Sequence, residues 1–478
     1  MPQSSPPPSS PTLSFTLNGK PVRLRQESPT TTLLHYLNQS GSTGTKEGCG
    51  DGDCGACTVV IVGEGADGQP QYQAVNSCLI PLGSLAGREV ITVEGVANGA
   101  LHPVQAAMVE TGGSQCGYCT PGFIMSLFAA YYDGVVDDAS VEGNLCRCTG
   151  YLPIRRAAQQ VTGVQPCDAF ASQLSQSSPR LEPWSLIQAE QSFFRPGDVR
   201  SLLNLMAGHP TATLIAGGTD LGLELSHKRR LYPVMISLEA VAELQGISQT
   251  PDAVTIGAAV PLSQIEQTLT GVFPSLDTML YWFAARQVRN RATMGGNLGT
   301  ASPIGDLPPV LLSLDATLTL VSQPDPEEAL HERTLPVADF FTGYRETVLQ
   351  PGEVIRHVTL PHTLSAGAVR RLSQSYKVGK RGTDDISIVA AAFTVDLDGE
   401  DRVVQARLGY GGVAATPARA IAVEDALIGQ PWSGETVRSL KPMLHDAFTP
   451  LSDLRGSASY RRRLVANLFE KFFQESQS

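Results

Sequence analysis

Eight of the nine cysteines in this 478-residue chain fall in two short sets whose spacing points to metal chemistry. The first set is Cys49, Cys54 and Cys57, with Cys78 further downstream. The spacing C-x4-C-x2-C with a distant fourth cysteine is one that holds a [2Fe–2S] cluster on four thiolates. A structural zinc site is the alternative, but zinc loops usually show paired C-x2-C knuckles. The spacing therefore favours iron–sulfur over zinc.

Glycines surround these cysteines at Gly48, Gly50, Gly52 and Gly55. We expect them to let the backbone turn through positive φ and approach a cluster closely. Main-chain N–H groups can then hydrogen-bond to the anionic sulfurs.

The second set consists of Cys116, Cys119, Cys146 and Cys148, in the pattern C-x2-C followed by C-x-C. Alone, this pattern would leave zinc and iron–sulfur closer, because four thiolates also suit zinc. The neighbouring first set tips the interpretation toward two clusters in tandem, which would form an electron relay. Cys167 is left over, and we assign it no role.

Composition excludes several classes of partner. Lys and Arg number 35 against 46 Asp and Glu, a net charge of −11, which argues against nucleic acid and anionic membranes as partners. No apolar run approaches the length of a membrane span. The odd cysteine count and clustered spacing favour thiolate ligands in a reducing cytoplasm. The Pro/Ser-rich residues 1–11 predict a disordered tail.

The first third of the chain predicts two small domains. Asn18-Gly19 between apolar runs predicts a hairpin, Thr30 to Thr32 predict the N-cap of a short helix, and residues 59–62 predict a strand. This order predicts a ferredoxin-like β-grasp domain over residues 12–94. Helical patterns at 101–109, after Pro121 (an amphipathic helix) and at 154–161 predict a helical bundle over 95–164. Residues 165–184, rich in Ser, Gln and Pro, predict a linker.

Two glycine pairs mark the next domain, predicted over residues 185–363. A strand at 213–216 runs into Gly217-Gly218, and a second loop carries Gly295-Gly296. Either pair could be a tight turn, and alone the first would favour one, but two such loops beside hydroxyls suit a diphosphate. The intervening arginines would ordinarily form a solvated face, although some could neutralise phosphate: Arg286, Arg289 and Arg291. Strands followed by helices predict an α+β layer over 364–478.

The combined motifs resemble the small, iron–sulfur/FAD subunit of bacterial xanthine dehydrogenases in the molybdenum hydroxylase family. The motifs that carry the resemblance are E-G-C-G-x-G-x-C-G-A-C, Q-C-G-x-C-T-P-G, G-N-x-C-R-C-T-G-Y and G-G-N-x-x-x-A-S-P-x-x-D. The resemblance implies a multidomain α+β protein. Its parts would be a β-grasp [2Fe–2S] domain, a helical-bundle [2Fe–2S] domain, an α+β FAD-binding domain and an α+β flavoprotein C-terminal domain.

The resemblance also implies roles for particular residues. Phe283 would cover a face of the isoalloxazine, Lys377 would lie near the polar edge of the ring, and Asp306 would bind ribityl or adenosine hydroxyls. Ile355 would contact the adenine. The diphosphate and ribityl chain would be held by Leu214, Ile215, Ala216, Gly217, Gly218, Thr219, Asp220, Leu221, Thr293, Met294, Gly295, Gly296 and Asn297.

Two surfaces are implied as well. Gln115 and Cys148 would face a pterin across a subunit boundary. The loop from Val378 to Ile388 would lie beside the flavin and influence whether NAD or oxygen takes the electrons. Its acidic residues match the family at Asp384 and Asp385, whereas its neighbours depart from the more charged vertebrate pattern at Gly382 and Thr383.

The activity implied is electron transfer within a cytoplasmic, NAD-dependent xanthine dehydrogenase of purine catabolism. A molybdopterin-binding large subunit would oxidise hypoxanthine and xanthine to urate, in an α2β2 heterotetramer, and electrons would pass through two [2Fe–2S] clusters to FAD and then NAD. No catalytic residue is expected in this chain, because no length remains for a molybdopterin domain. The alternatives are the same relay for an aldehyde, nicotinate or aromatic acyl thioester, a self-contained NADH–ferredoxin-type reductase, and a non-catalytic scaffold stapled by zinc.

Overall fold

The computed structural model describes residues 12–97, 99–164, 167–177, 180–323, 325 and 327–477, so the expected tail over 1–11 lies outside the described residues. The described chain forms two compact units. The first contains residues up to Ala242 with 261–264 and 284–292, and the second contains 243–260, 265–283 and 293 onward. No described helix has the length and apolar character needed to cross a bilayer.

A mixed five-stranded sheet with a short helix begins the first unit, as the β-grasp prediction requires. Its strand order is β2-β1-β5-β3-β4, in which β1 and β5 run parallel. Asn18 and Gly19 both adopt positive φ in the hairpin, and the Thr32 hydroxyl accepts a hydrogen bond from the His35 N–H to cap the helix. The elements are β1 (Leu13–Leu17), β2 (Lys20–Leu24), α1 (Leu33–Gln39), β3 (Thr58–Glu64), β4 (Pro70–Asn76) and β5 (Glu89–Ile91).

Helices follow, and the longest of them is apolar on every side. We expected an amphipathic helix after Pro121, but every residue from Gly122 to Tyr131 is buried. One side, with Phe123 and Leu127, packs on the other helices, while Met125 and Phe128 pack on the β-grasp sheet. The elements are α2 (Val93–Val96), α3 (Pro103–Glu110), α4 (Thr120–Asp133), α5 (Leu152–Val161) and α6 (Ala169–Gln176).

The predicted linker over 165–184 is wrong in one respect, because it contains α6. The Asp168 carboxylate caps this helix by accepting from the Ala171 N–H at 2.9 Å. Phe170 then packs edge-on against Phe128, with ring centroids 5.0 Å apart, and its carbonyl accepts from the Tyr72 hydroxyl. A single aromatic anchor cannot produce the periodicity that identifies a helix from sequence.

A small four-stranded sheet completes the first unit, in the order β6-β7-β9-β8. Strands β7, β9 and β8 are parallel, so the loops after them leave from the same edge. The elements are β6 (Trp184–Ile187), β7 (Ser192–Arg195), α7 (Val199–Gly208), β8 (Thr213–Ile215), α8 (Leu221–Ser226) and β9 (Val234–Ser237).

The described residues of the second unit form a five-stranded, a four-stranded and a two-stranded sheet. One has the order β10-β11-β16-β12-β13 and is antiparallel. The elements from here to β16, with α11 and the start of α9 belonging to the first unit, are β10 (Ile247–Gln249), β11 (Ala253–Gly257), α9 (Leu262–Leu269), α10 (Pro274–Trp282), α11 (Arg286–Arg289), α12 (Met294–Thr300), α13 (Leu307–Ser313), β12 (Thr317–Ser322), β13 (His331–Pro336), β14 (Phe341–Gly343), β15 (Glu346–Thr347) and β16 (Val354–Pro361).

The C-terminal part is an antiparallel meander covered by helices, as the α+β prediction states. Phe393 lies at the centre of its core, with Tyr410, Phe469 and Phe472 around it. The elements are β17 (Arg370–Val378), β18 (Val389–Leu397), β19 (Val403–Gly411), β20 (Ala418–Arg419), α14 (Ile421–Leu427), α15 (Gly434–Asp446) and α16 (Ala458–Glu475).

The arginines of segment 284–292 are not a solvated face. Arg289 and Arg291 are 1% and 7% exposed, and each pairs with a glutamate far away in sequence. Arg289 contacts Glu142 at 2.9 Å, and Arg291 shares the Glu239 carboxylate with Arg88, whose distance to it is 2.6 Å. The expected solvated face is therefore wrong at both positions, because the structure supplies buried counterions that local sequence does not reveal.

Glu239 is the centre of this charge network. Burial raises its pKa, but the charges of Arg291 and Arg88 outweigh that effect and bring the pKa to about 2. The carboxylate therefore stays ionised and holds two guanidinium groups inside the fold.

Replacing Glu239 by Gln should lower the free energy of unfolding by about 3 kcal/mol at pH 7, because two buried guanidinium groups lose their carboxylate. An unfolded Glu has a pKa of about 4.3. Because the folded pKa is lower, the stabilisation is complete above that value and is lost as the pH falls toward 2. The difference between wild type and Glu239→Gln should shrink across that window.

Urea unfolding at pH 7 and at pH 3 measures both effects, with Glu190→Gln at an exposed position as the matched control. A Glu239→Gln protein as stable as wild type at pH 7, or a difference that does not change with pH, would contradict the assignment.

Candidate cofactor sites

The first four cysteines meet as two pairs of thiols. The Cys57 and Cys78 sulfurs lie 3.3 Å apart, where the loop before β3 meets the turn after β4. The N–H groups of Cys49 and Cys54 each donate to the other residue's sulfur at 3.3 Å. The hydrogen bond from Cys49 lowers the pKa of the Cys54 thiol to about 6, while sharing that proton raises the pKa of Cys49. Within each pair, therefore, one thiol has a lowered pKa, Cys54 or Cys57, and its partner has a raised one, Cys49 or Cys78.

Glycines allow this convergence in two different ways. Gly50, Gly52 and Gly55 have φ of +74°, +84° and +65°, as we expected. Gly48 is not among the positive-φ residues. It is required for space instead, because a Cβ there would lie 2.5 Å from the Cys54 sulfur.

The second four cysteines are also paired. Cys116 is hydrogen-bonded to Cys148, and Cys119 to Cys146. Burial raises the pKa of Cys119 to about 12, whereas hydrogen bonds from Thr149 outweigh burial and lower the pKa of Cys146. Cys116 and Cys148 are exposed, so one edge of this set faces outward.

Both donor sets fit a [2Fe–2S] cluster. Among the described residues, all eight thiols of the two sets are free. Two pairs of thiols supply two ligands to each of two irons. Main-chain N–H groups of Asp51 and Thr149 already point at sulfur, at 3.4 Å, as a cluster site requires.

The two cysteine loops touch each other through their main chains. The Leu145 N–H donates to the Cys54 carbonyl at 3.0 Å. Leu145 directly precedes Cys146, and Cys54 is itself a member of the first set. A path made of covalent bonds and this one hydrogen bond therefore connects Cys146 with Cys54.

The first glycine pair lies between β8 and α8. Gly218 has a φ of +76°, which a tight turn there requires, and a Cβ on Gly217 would lie 1.7 Å from the Arg291 carbonyl. Helix α8 packs closely against the turn that carries Cys78, as shown by Gly222, where a Cβ would lie 2.6 Å from the Leu79 carbonyl. Leu79 directly follows Cys78, so the glycine pair and the first thiol set are neighbours within this unit. No local sequence pattern predicts this contact.

The second glycine loop, in the second unit, already uses some of its donors. The Gly295 N–H donates to the Ala258 carbonyl at 2.8 Å, and the Gly296 N–H to the Thr293 hydroxyl at 3.0 Å. These two groups are therefore engaged within the chain. The Asn297 side-chain oxygen is buried and has no hydrogen-bond partner. It fits a hydroxyl donor, such as a ribityl group, better than a phosphate.

Asp306 and Lys377 form a buried ion pair with a separation of 2.9 Å in the second unit. The Lys377 ammonium also donates to the Trp282 carbonyl at 3.0 Å, next to Phe283, and the Ser387 hydroxyl donates to Asp306 at 2.5 Å. The structure thus brings together Asp306 and Lys377, which the resemblance assigns to the flavin, and Ser387, which belongs to the loop from Val378 to Ile388.

The remaining predicted contacts are more separate. Phe283 and Ile355 are both nearly buried, and Ile355 pairs with Leu320 in the β16–β12 ladder. In the loop beyond Lys377, Asp385 accepts from the Arg381 N–H at 3.0 Å, whereas Asp384 adopts a φ of +65°.

The chain is similar to known protein families along most of its length. Four family models match in succession: 2Fe-2S iron-sulfur cluster binding domain over residues 15–83, [2Fe-2S] binding domain over 92–159, FAD binding domain in molybdopterin dehydrogenase over 188–363, and CO dehydrogenase flavoprotein C-terminal domain over 374–476. Together they span most of the chain.

Among curated proteins, the chain is 33% identical to xanthine dehydrogenase of Calliphora vicina, over 97% of this chain and 39% of that protein. It is 32% identical to xanthine dehydrogenase/oxidase of Gallus gallus, over 98% of this chain and 40% of that protein. The chain thus spans about two fifths of the length of these relatives.

Among solved structures, a chain of carbon monoxide dehydrogenase from Hydrogenophaga pseudoflava matches with a TM-score of 0.54 and 26% identity, over 60% of this chain and 96% of that chain. Quinoline 2-oxidoreductase from Pseudomonas putida 86 matches with a TM-score of 0.53, 26% identity and the same coverage. The chain is therefore a member of the molybdenum hydroxylase family, homologous to xanthine and carbon monoxide dehydrogenases, with two [2Fe–2S]-binding domains, an FAD-binding domain and a flavoprotein C-terminal domain.

Proposed function

We propose that this chain is the electron-transfer subunit of an NAD-dependent xanthine dehydrogenase. A molybdopterin-binding large subunit oxidises hypoxanthine and xanthine to urate, and the electrons leave through this chain to NAD. Xanthine dehydrogenase is the name shared by relatives that match nearly all of this chain at 32–33% identity. The assembly we propose is a cytoplasmic α2β2 heterotetramer.

The observation that carries this proposal is continuity within the first unit. The second thiol set joins the first through the hydrogen bond from Leu145 to Cys54, and the first set lies against α8 through Leu79 and Gly222. A relay needs its carriers in close succession, whereas independent structural metal sites have no such need.

The proposed cofactors supply complementary chemistry. Iron–sulfur clusters carry single electrons, NAD accepts a hydride, and FAD converts between the two. The role of the chain itself would be to bind these cofactors and to shield them from water. The eight thiols would ligate iron, main-chain N–H groups would stabilise the sulfurs, and the Asn297 amide would accept from a flavin hydroxyl.

The charged pair in the second unit would fix the polar part of the flavin site. Lys377 is 3% exposed and Asp306 11% exposed, so neither side chain can reorient freely in solvent. Such a pair presents a fixed donor and acceptor while leaving no net charge buried. Phe283 would lie against the ring and Ile355 against the adenine.

A second candidate is the same relay serving a different molybdenum hydroxylase. The similar solved structures carry the names of other enzymes, carbon monoxide dehydrogenase and quinoline 2-oxidoreductase. An aldehyde, nicotinate or aromatic acyl thioester substrate would need the same thiol sets and flavin site. The discriminating pocket would lie in the partner.

The complex isolated from its native source should form NADH when xanthine is supplied. The experiment identifies the second chain, measures molybdenum, and compares xanthine with an aldehyde, nicotinate and an aromatic acyl thioester as electron donors. If NADH forms with one of the other donors and not with xanthine, the second candidate function is correct and the xanthine dehydrogenase proposal is wrong.

Replacing Cys57 by Ser should remove about half of the bound iron and inorganic sulfide, because one of two clusters loses a ligand. Cys167→Ser is the matched control, since Cys167 is exposed and belongs to neither set. Metal and sulfide analysis of anaerobically purified protein measures both variants. Stoichiometric zinc without sulfide would instead support a zinc-stapled scaffold.

Replacing Asp306 by Ala should weaken FAD retention about tenfold or more, because Lys377 loses the partner that orients it. The flavin-to-protein ratio after desalting reports retention, and Asp325→Ala at an exposed position is the control. A thermal-unfolding midpoint near wild type would show that the variant folds. Full flavin retention in folded Asp306→Ala protein would remove Asp306 from the proposed site.

A further inference from the structure

A buried network of side-chain amides lies where the two cysteine loops meet in the first unit. Asn144, two residues before Cys146, is 1% exposed, and its amide nitrogen donates to the Gly55 carbonyl at 3.0 Å. Its amide oxygen accepts from the Ser126 hydroxyl at 2.6 Å. Asn144 therefore ties the second cysteine loop to the first and to helix α4.

Gln287 completes this network from the short helix α11. Its amide nitrogen donates to the Asn144 oxygen at 3.1 Å and to the Ser126 hydroxyl at 3.0 Å. Gln287 is also 1% exposed. A buried amide group that donates to two partners fixes the orientation of both. Breaking either hydrogen bond would leave a buried polar group without a partner and without access to water.

The surrounding backbone leaves no room for adjustment. A Cβ on Gly55 would lie 2.1 Å from the Gly143 carbonyl, and one on Gly122 would lie 2.2 Å from the Gly55 carbonyl. A Cβ on Gly143 would lie 2.1 Å from the Gln287 amide oxygen. Gly55 thus lies main chain to main chain against both Gly143 and Gly122, and Gly143 lies against the Gln287 side chain.

We propose that Gln287, acting through Asn144, is a positioning residue that sets the rate of electron transfer between the two iron–sulfur sites. This inference rests on the proposed function. One electron would pass from the cluster held by the helical-domain thiols to the oxidised cluster held by the β-grasp thiols, and no proton would move and no bond would form or break. The contact that carries this step is the hydrogen bond from the Leu145 N–H to the Cys54 carbonyl.

The physical reason is the steep dependence of electron transfer on separation. Asn144 is the direct neighbour of Leu145, and Gly55 is the direct neighbour of Cys54, so the bond from Asn144 to Gly55 runs beside the connecting bond. Loosening Asn144 lengthens the connection, while the thiols of each set keep their own hydrogen bonds. The coupling between the clusters should change before either cluster does.

The test uses Gln287→Met, which keeps the volume but removes both donors. Gln264→Met is the matched control, because Gln264 also donates a side-chain amide bond in this unit, to the Glu64 carbonyl at 2.7 Å, away from the cysteine loops. Flash photoreduction followed by rapid-freeze paramagnetic resonance measures how fast reduction moves from one cluster signal to the other. No substrate or partner turnover is needed.

We expect Gln287→Met to slow this transfer about tenfold or more while iron content, signal shapes and reduction potentials stay at wild-type values. Gln264→Met should transfer at the wild-type rate. Ser126→Ala removes the shared hydroxyl by a smaller change and should also slow transfer, so a poorly folding Gln287 variant would not leave the question open.

An unchanged rate in Gln287→Met or in Ser126→Ala would overturn the inference. So would loss of iron together with the loss of rate, because that result would assign these residues a purely structural role. Absence of two cluster signals in the wild-type protein would instead contradict the proposed function. The two failures are therefore distinguishable.

Discussion

The hydrogen bond between the Leu145 N–H and the Cys54 carbonyl is the contact on which the organisation of the first unit depends. It requires the chain to bring two cysteine loops, far apart in sequence, to main-chain distance. Glycine at Gly55 permits that approach, because a Cβ there would lie 2.1 Å from the Gly143 carbonyl. Helix α4 extends the same contact, since Met125 and Phe128 pack on the sheet while Phe123 and Leu127 pack on the helices. Helix α4 therefore contributes side chains to the apolar cores on both of its sides.

Buried charge is the second organising feature, although the chain carries a net charge of −11. Arg195, Arg289 and Arg461 are among the most deeply buried large side chains. Arg461 donates to the Ile388 and Gly412 carbonyls, and burial lowers the pKa of Arg195 to about 10. A planar guanidinium with several donors can satisfy carbonyls at the ends of separate elements, which an aliphatic side chain cannot do. These arginines hold irregular segments in place where the regular hydrogen-bond ladders end.

The sequence predicted what depends on local pattern. The hairpin at Asn18-Gly19, the Thr32 cap and the α+β class follow from short-range rules, and the structure has all three. The family matches agree with the cofactor classes that the cysteine spacing indicated. Other errors depend on long-range contacts: Arg289 and Arg291 pair with distant glutamates, and α4 is buried on both sides. Gln287 and Asn144 could not have been chosen by residue type, because an amide gains its role only from the groups that surround it.

The central claim is that the eight paired thiols hold two iron–sulfur clusters. Electron paramagnetic resonance of anaerobically purified protein, recorded before and after stepwise reduction with dithionite, tests it most directly. The account predicts a brown, flavin-containing protein that develops two distinct [2Fe–2S] signals of equal intensity. A colourless protein with zinc and no paramagnetic iron signal after reduction would contradict it.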